Sequence, residues 1–258
     1  MNRPLRRLSL IVMVMFLAIM ASTTYVQFVA AGTLNNDSRN SRALFREYGR
    51  NRGPIIANNG LVLVESVPVD SPFRYLRVYS QGNAEAAAMY APVTGFLSIA
   101  NGATGIERAE NEFLNGTAPA LWVTRLRDIF TGYATQGASV EVTISPALQE
   151  AAWNALGNQR GAVVALDPRT GAILAMVSKP SFDPNYLAVH STAQASNRFQ
   201  DLAADDTDPL INRTIGALYP PGSTFKLIPA AAALESNQVL PNQMIPAPVT
   251  YRLPGTTH

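Results

Sequence analysis

The sequence predicts an α+β protein: an N-terminal membrane-spanning helix, a small mixed α/β domain, and the opening part of a second strand-and-helix domain. Three observations lead there. From Leu8 to Ala31 no residue is charged, and Leu10 to Met20 is apolar throughout. Beyond that run, short apolar stretches, turn signals and helical patterns follow one another up to Ser145. Two near-continuous apolar strands, Gly161–Leu166 and Ala172–Val177, then imply a sheet buried on both faces and covered by helices. The expected divisions are 1–34, 35–145 and 146–258.

The chain has 258 residues and an apolar share of 47%, enough for a substantial core. It has no cysteine, which excludes disulfides, a lipid-modified cysteine anchor and a thiol nucleophile. With two histidines, His190 and His258, a metal centre is not expected, and nothing calls for a cofactor. The net charge is +2 and no basic run is interleaved with aromatics, so nucleic acid is not an expected partner.

About 20 apolar residues cross a bilayer, so the N-terminal run is long enough to do so. Arg3, Arg6 and Arg7 precede it and favour a cytoplasmic N-terminus, with the bulk of the chain outside the plasma membrane. Small residues at Ala30 and Ala31 leave a cleaved signal peptide as the alternative. The run exceeds a usual signal-peptide core, which favours an uncleaved anchor. Between Asn35 and Arg52 the chain is polar and reads as a tether.

Arg52 to Leu63 reads as a β-hairpin around an Asn58-Asn59-Gly60 turn. Gly102-Ala103-Thr104-Gly105-Ile106-Glu107 then leads into a helical pattern that ends at Asn115-Gly116. Glu107 has no partner carboxylate in the sequence, so a structural role at the helix start is expected of it. Val140 to Ile144 alternates like a half-buried strand. Ser145 and Pro146 supply an N-cap and first-turn proline for a helix that runs to Leu156 and stops at Gly157. Asp167 and Asp183 both precede proline and read as turn residues.

The chemistry concentrates in Tyr219-Pro220-Pro221-Gly222-Ser223-Thr224-Phe225-Lys226. The prolines fix an extended entry and Gly222 permits a sharp reversal, after which Ser223 opens a helix. Residues three apart share a helix face, with Cβ atoms roughly 5–6 Å apart, so the Lys226 amine can reach the Ser223 hydroxyl. Serine becomes a nucleophile when a neighbouring base takes its proton, and lysine can be that base if burial or nearby positive charge lowers its pKa. Lys179 and Lys226 are the only lysines in the chain. Arginine does not give up its proton, so a rare lysine beside a serine points to proton transfer. The helix should run to Glu235 and bend at Pro229.

This stretch resembles the active-site motif of the class B penicillin-binding proteins, the monofunctional peptidoglycan D,D-transpeptidases. Arg-Gly-Pro-Ile with Asn-Gly at 52–60, Gly-Ala-Thr-Gly-Ile-Glu at 102–107, the 161–185 stretch and Pro209 to Arg213 are similar to further segments of that family. Arginine-rich, lysine-poor usage suggests its actinobacterial A type. The resemblance implies a membrane-proximal pedestal domain followed by the N-terminal portion of a β-lactamase-like transpeptidase domain. Ser223 would be its nucleophile and Lys226 its base; Asn212 and Arg213 would be structural. Implied partners are D-Ala-D-Ala stem peptides, β-lactam antibiotics, the membrane and other cell-wall synthesis proteins. The family's later Ser-x-Asn and Lys-Thr-Gly motifs do not follow Lys226, so this polypeptide alone is expected to be an inactive fragment. A serine β-lactamase or β-lactam sensor, and a non-catalytic membrane scaffold, are the alternatives.

Overall fold

A computed structural model describes residues 2–30, 48–123 and 136–250 of the chain. They belong to two compact units, residues 1–217 and 218–258. The polar tether lies largely outside the described residues.

The first helix, α1, covers Asn2–Thr24 and continues as a π-helical stretch over Tyr25–Val29. Within Arg3–Val29 an 18-residue stretch has a mean hydropathy of 2.1, and none of that stretch is buried within the protein. At 1.5 Å per residue the helix exceeds the roughly 30 Å of a hydrocarbon core. Thr23 turns its hydroxyl back onto the Ile19 carbonyl, which satisfies that polar side chain within the helix.

The expected hairpin forms from β1 (Ile55–Ile56) and β2 (Val62–Pro68), paired antiparallel. Gly60 adopts φ +84° at its turn, and the Asn59 side chain accepts from the Leu61 N–H. Strand β3 (Tyr75–Tyr79) adds to β2, and a distant segment, β6 (Val140–Glu141), pairs parallel to β1. The sheet order is β3-β2-β1-β6. Only two residues of the expected strand at 140–144 join the sheet, although the Val142 N–H still donates to the Ile56 carbonyl. Gly53 is required by a close backbone approach, since a Cβ there would lie 1.8 Å from the Ala138 carbonyl oxygen.

Helix α2 (Ala84–Thr94) is capped by Asn83, whose side chain accepts from the Ala86 N–H, and it ends at Gly95 with φ +68°. A short ribbon of β4 (Leu97–Ser98) and β5 (Gly102–Ala103) leads to α3 (Gly105–Ala109) and α4 (Asn111–Leu114). The helix expected over this stretch is thus broken at Glu110. Ile55, Leu63, Val64, Tyr79, Tyr90, Leu114 and Ile144 pack into the core that these elements share.

Helix α5 (Pro146–Leu156) begins and ends where expected, with Gly157 at φ +53°. Ser145 occupies the N-cap position, yet its side chain makes no capping bond; its N–H instead donates to the Leu174 carbonyl, tying the helix start to a strand. That strand is β8 (Ile173–Lys179), antiparallel to β7 (Gly161–Leu166). Both pack under α5, and α2 lies against β8. The apolar run of β7 had implied burial on both faces, but Val164 is 43% and Leu166 57% exposed. Among the described residues the sheet has only these two strands, so β7 is an edge with one covered face. Helix α6 (Thr192–Ala203), capped by Ser191, closes the first unit's regular structure.

Packing runs straight across residue 145. Gln149 of α5 is fully buried and accepts from the Met176 N–H while donating to the carbonyls of Met176 and Met89, which joins α5, β8 and α2. Gln149→Ala leaves a buried N–H and two carbonyls without partners. Its expected cost is about 1–3 kcal/mol, read as a lower midpoint in urea unfolding.

Candidate active site

In the second unit the Ser223 segment is a single tight turn. Pro221 occupies the position before it, Gly222 has φ +54°, and residues Gly222–Lys226 form a 3-10 helix that passes into α7 (Leu227–Glu235). The helix therefore opens at Gly222, one residue before the expected start, and its first turn is narrower than an α-helix. The Thr224 hydroxyl closes back onto the Pro221 carbonyl. Pro229, expected to bend the helix in its interior, falls in the first turn of α7, where the missing N–H is not needed.

The tight turn affects the two candidate groups directly. A 3-10 helix has three residues per turn, so Ser223 and Lys226 eclipse one another on one side of the segment. Both side chains are exposed, and neither makes a side-chain hydrogen bond among the described residues. The two residues fall on one side of the turn, and Lys226 is unburied.

The chain that approaches this segment is held firmly. Arg213, 4% exposed, donates to the carbonyls of Thr207 at 2.7 Å, Ile211 at 3.2 Å and Pro180 at 3.3 Å. Its N–H donates to the Ser178 hydroxyl, and the Asn212 side-chain amide donates to the Pro92 carbonyl of α2. Both residues have the structural role expected of them. The second lysine is accounted for as well: Lys179 Nζ donates to the Gly157 carbonyl at 2.6 Å and sits 3.9 Å over the Trp153 ring. Partial burial lowers its pKa, opposed by the charge of Glu85.

A separate polar cluster lies in the domain before residue 145. Glu107 is fully buried and bridges two buried arginines, with Arg52 Nη2 at 2.8 Å and Arg77 Nε at 2.5 Å. Arg52 also reaches the Asn111 side chain and the Glu107 carbonyl, while Arg77 donates to the Arg52 carbonyl and the Ser66 hydroxyl. Tyr79 Oη accepts from the Leu97 N–H at 2.7 Å and lies 3.4 Å from Glu107. Burial, seconded by the Glu107 carboxylate, holds the Tyr79 hydroxyl well above the usual phenol range, against the pull of Arg77, the Leu97 N–H and Arg52. Glu107 is structural, as expected, but its partners are two arginines and not the helix start. Arg77 was missed. Its position in β3, with Tyr79 on the same inward face, was the available signal.

The two halves match known proteins separately. Residues 52–140 match the model of the penicillin-binding protein A dimerisation domain, and residues 161–256 that of the penicillin-binding protein transpeptidase domain. The chain belongs to the penicillin-binding protein family. All of it aligns with the peptidoglycan D,D-transpeptidase PbpA of Mycolicibacterium smegmatis at 47% identity, covering 52% of that protein. The PbpA of Mycobacterium tuberculosis is 46% identical over the same share. The M. tuberculosis penicillin-binding protein A, solved as its imipenem acyl-enzyme complex, superposes with a TM-score of 0.69 over 82% of this chain and 48% of that one. The chain thus spans about half the length of the curated relatives it matches. Its mixed α/β fold, with an N-terminal apolar helix, a dimerisation domain and part of a transpeptidase domain, is that of this family of penicillin-binding proteins.

Proposed function

We propose that this chain carries the nucleophile of a peptidoglycan D,D-transpeptidase. The observation that supports this most is the eclipsed Ser223–Lys226 pair at the start of a helix, inside the stretch that matches a transpeptidase domain. Ser223 Oγ attacks the D-Ala-D-Ala carbonyl of a stem peptide while Lys226 takes its proton. Collapse of the tetrahedral intermediate expels the terminal D-Ala as an amine, which leaves with a proton, and forms an ester to Ser223. An amine of a neighbouring stem then attacks that ester and restores the serine. The N–H groups at the helix start favour the oxyanion. β-Lactams acylate the same serine, a reading supported by the similarity to a M. tuberculosis protein solved as an imipenem acyl-enzyme complex.

Two further readings go with this proposal. The arginines in the first two turns of α1 hold the N-terminus in the cytoplasm, and the catalytic portion faces the cell wall. The chain divides into an anchor at 1–34, a pedestal at 35–145 and a transpeptidase portion at 146–258.

The test joins this chain to the remaining half of its M. smegmatis relative, where the family's Ser-x-Asn and Lys-Thr-Gly motifs are expected, and treats the product with a fluorescent penicillin. Mass spectrometry is expected to map the adduct to the peptide bearing Ser223; an adduct elsewhere overturns the proposal. Lys226→Arg replaces the base with a group that does not give up its proton, and should slow acylation by about 10²–10⁴-fold.

A further inference from the structure

The buried triad in the domain before residue 145 is not electrically balanced. Two guanidinium groups face one carboxylate, and Tyr79, whose hydroxyl lies beside them, stays protonated. One net positive charge is therefore buried, an unfavourable arrangement unless something negative or strongly polar lies beside it. Among the described residues, Arg52 Nε and Arg77 Nη2 are buried and have no hydrogen-bond partner. The side chains of Arg52 and Arg77 are 2% and 4% exposed, so bulk solvent does not reach them freely.

Both arginines line a cavity of about 20 Å³. Arg50, His190, Ser66 and Tyr75 also line it, and among the described residues no acidic one does. Arg50 already donates to the Asn115 carbonyl, and both ring nitrogens of His190 are engaged, one with Ser71 and one with the Tyr75 carbonyl. The space suits a body the size of one water or one halide ion. A water could accept from both free N–H groups but would leave the charge unbalanced.

We propose that this cavity binds one small monovalent anion of the halide class, held by Arg52 and Arg77. The anion completes the charge of the triad and links β3 to the chain leading into β1. Its effect falls on the stability of the domain and is independent of Ser223 chemistry.

The test is thermal unfolding of the whole chain in detergent, in sodium chloride against sodium gluconate at equal ionic strength. Gluconate is a much bulkier and more strongly hydrated anion than chloride. With chloride at ten times its dissociation constant, Tm should be about 3–6 °C higher than in gluconate. Equal Tm in the two salts overturns the proposal. Crystals soaked in bromide should show an anomalous peak beside Arg52 and Arg77. A peak there without any chloride-dependent rise in Tm means an adventitious ion only, which also overturns it. Arg77→Gln should abolish the chloride dependence. If that variant does not fold, Arg50→Gln, which leaves the triad intact, should weaken chloride binding several-fold; unchanged binding counts against the proposal.

Discussion

Ser223→Ala, in the chain joined to the second half of its M. smegmatis relative, is expected to abolish covalent penicillin labelling. The effect should be the largest of any single substitution, because no acyl-enzyme can form without the oxygen that carries the acyl group. Loss of a serine nucleophile in other hydrolases costs on the order of 10⁶ in turnover, and the residue of activity that survives is not covalent. The fold should be untouched. Ser223 is exposed, its side chain makes no hydrogen bond among the described residues, and alanine suits a helical turn. Far-UV circular dichroism and Tm should therefore match the parent within error while the fluorescent band disappears. Undiminished labelling would place the nucleophile elsewhere.

Glu107→Ala is expected to have the opposite profile, with a large loss of stability and no direct effect on the serine. It removes the carboxylate that bridges Arg52 and Arg77 and leaves two buried guanidinium groups facing each other. Breaking a buried pair by deleting one partner costs about 3–5 kcal/mol, since the remaining charge is neither solvated nor matched. For a domain of this size that corresponds to a fall in Tm of roughly 6–20 °C. Glu107→Gln keeps the shape and can still accept hydrogen bonds, so it should recover part of the loss. Equal stability of parent and Glu107→Ala would show that the triad contributes nothing.

Local signals reported most of the elements correctly. The Asn-Gly turn at 58–60, the proline after Ser145, the glycines at 157 and 222, and the turn at Asp167 each act through the conformation of one or two residues. Such effects survive whatever the rest of the chain does. The family motifs were equally legible, and the structure adds a physical reason for two of them. The Arg-Gly at 52–53 supplies one arm of the triad and a backbone contact that admits no Cβ; the Gly-Ile-Glu at 105–107 supplies its centre. Neither motif says that it meets the other, because the pairing spans more than fifty residues.

The sequence by itself determined the membrane-length helix, the hairpin at 52–63, α5 with the two strands that follow it, the family, and the spacing of Ser223 and Lys226. These are matters of composition, turn chemistry and periodicity, all set within a few residues. Tertiary structure alone decided that Glu107 answers two arginines, that Gln149 sews α5 to β8 and α2, that Val164 and Leu166 of β7 are exposed, and that the serine turn is a 3-10 helix. Each depends on what is packed beside a residue, and burial, which sets the cost of an unmatched charge or hydrogen bond, does not exist until distant segments meet.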